Sequence, residues 1–306
     1  MKFIIILLVF LQLASSAYAL KLKIDDRVIN ISSYLQTRYT IDPSRKDSFS
    51  IPRLRSDIWG DIDENVGYLI ELDATASPAL IYGWIDLKPE KATKFRVGKF
   101  YYPFGLEYTT PPSRFDTINP TYTLWNLFGY SRDIGIQFSQ DKENCKYAIA
   151  LMNGADNQTS DDNESKDLLG RYVFKGIKDL DVGLSFQVGK AGTMETERQR
   201  IGAELNYKLG SFGLKSEYVR AIDNSVRKVG WYLQPSVWLS SSVQGLIRYE
   251  FWDPNTQAAG DRQTITTFGI NAFIDPAAKL QVNYELKNEE VDTSNNALLM
   301  QLQLSF

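Results

Sequence analysis

Over long stretches of this chain every second residue is apolar. Leu280, Val282, Tyr284 and Leu286 alternate with Gln281, Asn283, Glu285 and Lys287, and Ile201, Ala203, Leu205, Tyr207 and Leu209 alternate with polar Arg200, Glu204, Asn206 and Lys208. Val182, Leu184, Phe186 and Val188 repeat the pattern. A period of two belongs to strands whose two faces meet different surroundings. Such segments fall near 28–39, 49–59, 65–73, 78–87, 94–101, 133–140, 145–152, 168–175, 181–189, 198–208, 212–220, 227–239, 243–252, 263–274, 278–288 and 297–306. Helix-period patterns are scarce, and beyond the first residues no apolar run approaches the roughly 20 that a membrane helix needs. The predicted fold class is therefore all-β.

Strand length and connections narrow the class. About sixteen strands of about ten residues suit tilted membrane strands better than a soluble sandwich. Tight turns at Leu209-Gly210-Ser211, Ser240-Ser241-Ser242, Asp275-Pro276-Ala277 and Asp141-Lys142-Glu143 alternate with longer connections at 153–167, 190–197, 253–262 and 289–296. Short periplasmic turns and longer external loops give this alternation in a transmembrane antiparallel β-barrel, and all fifteen connections are read as fitting it. The last segment alternates Leu298, Met300, Leu302, Leu304 and Phe306 with Leu299, Gln301, Gln303 and Ser305 and ends on an aromatic. It resembles the terminal signature by which bacterial outer-membrane barrels are recognised for insertion. At the other end, Lys2, the apolar run Phe3 to Leu13 and Ala17-Tyr18-Ala19 read as a signal peptide, 1–19, cleaved after Ala19. The barrel is assigned to 20–306, in the bacterial outer membrane.

Composition removes other readings. With 34 Lys plus Arg against 37 Asp plus Glu, no basic surface for nucleic acid is expected. The absence of histidine excludes His-based nucleophile pairs and His-ligated zinc, and the lone Cys145 cannot form an internal disulfide or a thiolate metal site. No catalytic residue, metal or cofactor is predicted. Aromatics make up 13% of the chain, more than a core demands, and Trp59, Tyr102, Tyr218, Trp231, Trp252 and Tyr284 are the candidates for interfacial girdles.

If the apolar face meets lipid, the polar face lines a lumen, and the barrel must close because unpaired backbone groups in hydrocarbon cost several kcal/mol each. Sixteen strands leave an aqueous channel where eight are filled by side chains. Pore-lining residues by this register are Arg38, Arg53, Arg55, Glu71, Arg96, Arg200, Glu204, Arg248, Glu250 and Glu285, with Asp133 and Glu217 of the same parity. Charges of both signs leave ion preference open, and the net acidity leans it slightly towards cations.

One connection is unlike the rest. The segment 102–132 is far longer than the roughly 12–15 residues usual for a structureless loop. It carries Pro103-Phe104-Gly105-Leu106-Glu107, further prolines at 111, 112 and 120, and the run Tyr122, Leu124, Trp125, Leu127, Phe128 and Tyr130. Prolines stiffen it and aromatics give it something to pack with, so it is read as a constriction loop folded into the barrel, with Glu107, Arg114, Asp116, Arg132 and Asp133 as constriction charges. The stretch Arg96-Val97-Gly98-Lys99-Phe100, followed by Pro103-Phe104-Gly105-Leu106-Glu107, resembles the segment of the phosphate-selective porin O and P family that leads from a strand into the inward-folded third external loop. The resemblance implies a sixteen-stranded, usually trimeric channel. It does not carry phosphate selectivity with it, because this loop lacks the clustered lysines of phosphate-selective members.

The expected function is an outer-membrane porin admitting small hydrophilic solutes or ions, anions among them, as a homotrimer in outer-membrane lipid. The alternative is a non-conducting barrel with a binding, adhesive or structural role. Asp156, Asp161, Asp162, Glu164 and Asp167 crowd one loop, read as solvated acids in preference to a Ca²⁺ site because no glycine stands where an EF-hand turn needs it. Sequons at Asn30, Asn157 and Asn163 are read as ordinary polar residues.

Overall fold

The computed structural model describes residues 20–24, 27–129, 132–156, 160–289 and 295–306, so the expectations of a signal peptide at 1–19 and of a sequon at Asn157-Gln158-Thr159 concern residues outside the described ones. A short β1 (Leu20–Ile24) precedes β2 (Arg27–Ile41), β3 (Ser48–Asp61), β4 (Val66–Asp73), β5 (Leu80–Glu90) and β6 (Thr93–Phe100). After a long connection come β7 (Asp133–Asp141), β8 (Cys145–Met152), β9 (Asp167–Ile177), β10 (Leu180–Ala191), β11 (Thr196–Leu209) and β12 (Phe212–Asp223). The chain ends with β13 (Val226–Trp238), β14 (Val243–Asp253), β15 (Gln263–Asp275), β16 (Ala278–Glu289) and β17 (Ala297–Ser305).

Each strand from β2 to β17 pairs antiparallel with the next, and β17 returns to β2 with Leu298 opposite Ile41 and Ser305 opposite Tyr34. The result is a closed barrel of sixteen strands. All sixteen predicted segments are strands. The strand missed by the sequence reading is β1, which pairs Leu20 with Ile31 along the stretch of β2 that β17 leaves open. The strict alternation of short and long connections breaks at Asn224-Ser225. There β12 and β13 are joined by two residues, both at positive φ (49° and 68°), the backbone of a tight primed hairpin turn.

The register assigns the faces. Arg248 lies opposite Thr267, and Thr267 opposite Glu285, whereas their chain neighbours Ile247, Phe268 and Tyr284 form the matching row on the other face. The first row is buried and the second exposed, so the polar parity turns inward and the apolar parity outward, towards lipid. Glutamine and asparagine amides bond from strand to strand across the inner face. Gln36 donates to Gln303 at 2.8 Å, Gln301 to Gln281 at 3.3 Å, Gln281 to Asn271 at 3.1 Å and Asn271 to Gln244 at 2.9 Å.

The outward parity makes a prediction. Ile270, mid-strand on β15 and 55% exposed, belongs to the lipid-facing row. Ile270→Arg is expected to destabilise the barrel by about 2–4 kcal/mol, the cost of an arginine near the bilayer midplane. The urea midpoint of protein refolded into lipid vesicles reads it, and an unchanged midpoint would mean that the faces are reversed.

Candidate functional site

The connection between β6 and β7 is an organised element. Pro112–Arg114 form a single 3-10 turn, and Tyr122–Phe128, in sequence an aromatic run, form a helix, α1. Its signals were present in the sequence. Thr121 caps the start, its hydroxyl accepting from Leu124 N at 3.3 Å, and Gly129 ends the helix in the left-handed conformation at φ 54°. Tyr102, Phe104, Tyr108, Phe115, Leu124, Leu127 and Phe128 pack into one cluster with Ala150, Met152, Leu169, Val219 and Ala221 of the wall. The hydrophobic core of this barrel therefore lies in its interior, between the loop and one side of the wall.

Polar groups fix the loop to the wall in two ways. On β15, β16 and β17 the wall presents donors to loop carbonyls: Asn271 and Gln281 reach Asp116 O at 2.8 and 3.0 Å, Lys279 reaches Phe115 O at 3.1 Å, and Gln303 reaches Ser113 O at 3.2 Å. On β12 and β14 it presents carboxylates to loop N–H groups: Glu217 accepts from Leu106 N at 2.6 Å and Glu107 N at 2.9 Å, and Glu250 accepts from Tyr122 N at 2.6 Å. Gly230 on β13 makes room for α1, since a Cβ there would meet Thr123 Oγ1 at 2.0 Å.

The wall residues named from the sequence all carry the inward parity, but they fall into two groups. Arg248, Glu250 and Glu285 lie beneath the loop, at 1%, 2% and 4% exposure. The Arg248 guanidinium binds Glu250 at 2.7 Å, Glu107 at 3.4 Å, the Thr117 hydroxyl, and the carbonyls of Asn119 and Pro120 at 3.2 and 3.3 Å. Glu285 accepts from Asn119 Nδ2 at 2.8 Å, and Arg38 donates to Asn119 Oδ1 at 3.1 Å. Arg200 stacks over Phe128 of α1 at 4.6 Å and pairs with Asp223 at 3.4 Å. All of these residues hold the loop, and all but the half-buried Arg38 are buried.

The second group bonds within the wall itself. Arg55 pairs with Glu71 at 2.9 Å and Asp73 at 2.8 Å, and Arg53 donates to Gln36 at 2.9 Å. Arg96 grips Asp86 with two nitrogens, at 2.7 and 2.8 Å, and lies 3.9 Å from the Trp84 ring centroid. Glu204 pairs with Arg171 at 2.5 Å.

Among the loop charges, Glu107 is turned to Thr121, accepting its N–H at 3.0 Å, and closes the neck of the loop. Asp116 pairs with Lys215 at 2.6 Å, and Arg114 is exposed. Arg132 is buried against Tyr101 and Tyr82, and Asp133 accepts from Gly154 N at 2.6 Å. Three girdle candidates are corrected: Tyr102 and Trp252 are 0% and 4% exposed, because the loop's apolar core uses them, and Trp59 shares the inward parity of its partner Asn30. Tyr218, Trp231 and Tyr284 take the outward one. In the acidic connection, Lys166 bonds Asp161 and thereby holds its carboxyl below the usual range.

Beyond this packing, space remains towards the short turns that join β5 to β6 and β7 to β8. A cavity of about 410 Å³ lies between the loop residues Tyr101, Pro103 and Thr109 and the wall from β5 to β9. Its lining is cationic: Lys91, Lys94, Arg96, Lys146 and Arg171 face it, against the single carboxylate of Asp141. Arg96 and Arg171 are neutralised by Asp86 and Glu204, but among the described residues Lys91, Lys94 and Lys146 form no ion pair. The sequence reading included Arg96 and missed these lysines, which sit at strand ends beside short turns where alternation is weakest.

Residues 30–193, more than half of the chain, match the model of the family described as phosphate-selective porin O and P. The chain belongs to this family. It is a porin, a barrel of the bacterial outer membrane that conducts passively. No curated protein sequence matches it. Among solved structures, this porin is similar to in-vitro-folded OmpT of Vibrio cholerae in its trimer form, with TM-score 0.71 and 10% identity over 92% of this chain and 99% of that one. An anion-selective porin from Comamonas acidovorans gives 0.71 and 11%, over 92% of this chain and 100% of that one. OmpF of Salmonella typhi in complex with daunomycin gives 0.69 and 11%, over 94% and 100%. At such identities the likeness concerns the fold.

Proposed function

We propose that this porin is an anion-preferring channel for small hydrophilic solutes, in which the segment 102–132 narrows the lumen and leaves a path along the wall from β5 to β9. The observation that carries the reading is the distribution of charge. Arg248 and Arg200 are consumed in anchoring the loop or in pairs beneath it, while Lys91, Lys94 and Lys146 face the remaining water without ion-pair partners among the described residues. A mobile anion meeting these ammonium groups finds an excess of positive charge, with Asp141 the single carboxylate beside them, and low-dielectric walls focus that field. The net acidity of the chain resides elsewhere and does not decide ion preference. Assembly into trimers and export by cleavage after Ala19 belong to the same reading. The OmpT structure in its trimer form supports the first, and the apolar run with its small-residue cleavage motif supports the second.

Reconstitution in a planar bilayer under a KCl gradient tests the proposal. Discrete conductance steps are expected, arriving in groups of three, with a reversal potential on the chloride side of zero. A potential on the potassium side would refute the anion preference, and folded protein that gives no steps would return the barrel to a binding or structural role.

A further inference from the structure

We propose that Glu217 and Glu250 are positioning residues of the channel, two wall carboxylates that hold both ends of the constriction loop by its main-chain N–H groups and so set the width of the opening. The inference rests on the reading of the loop as the channel's constriction. Glu217 Oε1 accepts from Leu106 N at 2.6 Å and its Oε2 from Glu107 N at 2.9 Å, so one carboxylate spans two consecutive amides. Glu250 Oε2 accepts from Tyr122 N at 2.6 Å. Between these points Glu107 joins Thr121 across the neck, and the stretch from 108 to 120 is an excursion whose two feet stand on these carboxylates and whose middle meets the wall again through Ser113, Asp116, Ile118 and Asn119. Because the acceptors address backbone, they fix the path of the loop whichever side chains it shows to the water.

Two further observations single out Glu217. Gly105 sits at φ 65°, and a Cβ there would lie 2.4 Å from Glu217 Oε1, so the glycine of the Pro-Phe-Gly-Leu-Glu motif admits the carboxylate as well as the turn. Neighbouring Glu204 and Glu250 each have an arginine, whereas among the described residues Glu217 has no ion pair. Its compensation comes from the two loop amides and the Tyr232 hydroxyl, which donates at 2.9 Å. Two of these three donors belong to the docked loop and one, the Tyr232 hydroxyl, to the wall.

The experiment uses the full-length protein carrying Cys145→Ser and a reporter, Ile118→Cys, at a loop position 1% exposed against Ala297 and Leu299. With both glutamates present, a hydrophilic maleimide should label the thiol slowly and the conductance should be steady. In Glu217→Ala/Glu250→Ala, with folding verified by heat-modifiable migration, labelling should accelerate at least tenfold and the current should fluctuate between levels. Glu217→Gln, which keeps one acceptor oxygen and loses the other, should fall between the two, and it stands in if the double variant does not fold. Unchanged labelling and steady current in a folded variant would overturn the assignment. If the unsubstituted protein conducts nothing, the channel reading fails by itself, and the labelling rates still decide whether these carboxylates hold the loop.

Discussion

Arg248→Ala is expected to lower the stability of the folded barrel by about 3–5 kcal/mol, the cost of removing one partner from a buried ion pair. The guanidinium side chain is 1% exposed and Glu250 beside it 3%, so the carboxylate left behind would be charged, dry and without its cation. The same substitution strips donors from the Thr117 hydroxyl and from the carbonyls of Asn119 and Pro120. Loss of these contacts should free the segment between Thr117 and Pro120 even where the wall stays closed. Urea titration in lipid vesicles measures the first effect. Arg248→Met/Glu250→Gln separates the two: removing both charges should recover much of the lost stability, since a neutral pair avoids the desolvation penalty, but it should not restore the loop contacts. Arg248→Lys should also fall short, because an ammonium lacks the planar fork that reaches Glu250, Glu107 and the carbonyls together. An Arg248→Ala midpoint equal to that of the unsubstituted protein would mean that the pair contributes nothing to the fold.

The barrel was legible because its surroundings impose a period. Lipid on one side and polar groups on the other force residues such as Leu280 to Lys287 to alternate, and a one-residue slip would turn every side chain to the wrong face. The parity of all ten pore-lining candidates could therefore be read directly. What period two does not encode is which part of an inward face another segment will cover. Arg96 and Arg248 look alike in sequence, yet one borders open space and the other lies under Thr117 and Pro120. The difference comes from an element that obeys no strand period. Trp252 and Tyr102 were misassigned for the same reason: an aromatic at a strand end suits a lipid interface or a loop core equally, and only the packed loop distinguishes them. The motif at 103–107 marked the right place but hid its purpose. Glu107 reads as a charge for the constriction, and in the fold it is spent on Thr121 and Arg248, while the backbone amides beside it carry the docking.

Charge reversal at Lys94 and Lys146 is expected to turn the channel from anion- to cation-preferring. The two residues stand on strands two apart, about 10 Å laterally, and both border the open space. Each ammonium contributes up to about 1 kcal/mol to a monovalent anion at about 4 Å in water. Replacing both by glutamate converts that attraction into repulsion of similar size, a change of roughly tenfold or more in relative permeability. Arg96 and Arg171 would not restore the preference, since Asp86 and Glu204 neutralise them, and Asp141 would then stand beside two further carboxylates. Ionic strength supplies an independent check. The Debye length shrinks from about 10 Å at 0.1 M to about 3 Å at 1 M, so the shift in reversal potential should be large in dilute KCl and much reduced in concentrated KCl. Lys94→Gln/Lys146→Gln should lie between the two, close to non-selective. If Lys94→Glu/Lys146→Glu keeps the original reversal potential in dilute salt, ions do not pass along the wall from β5 to β9, and the conducting path lies on another side of the loop.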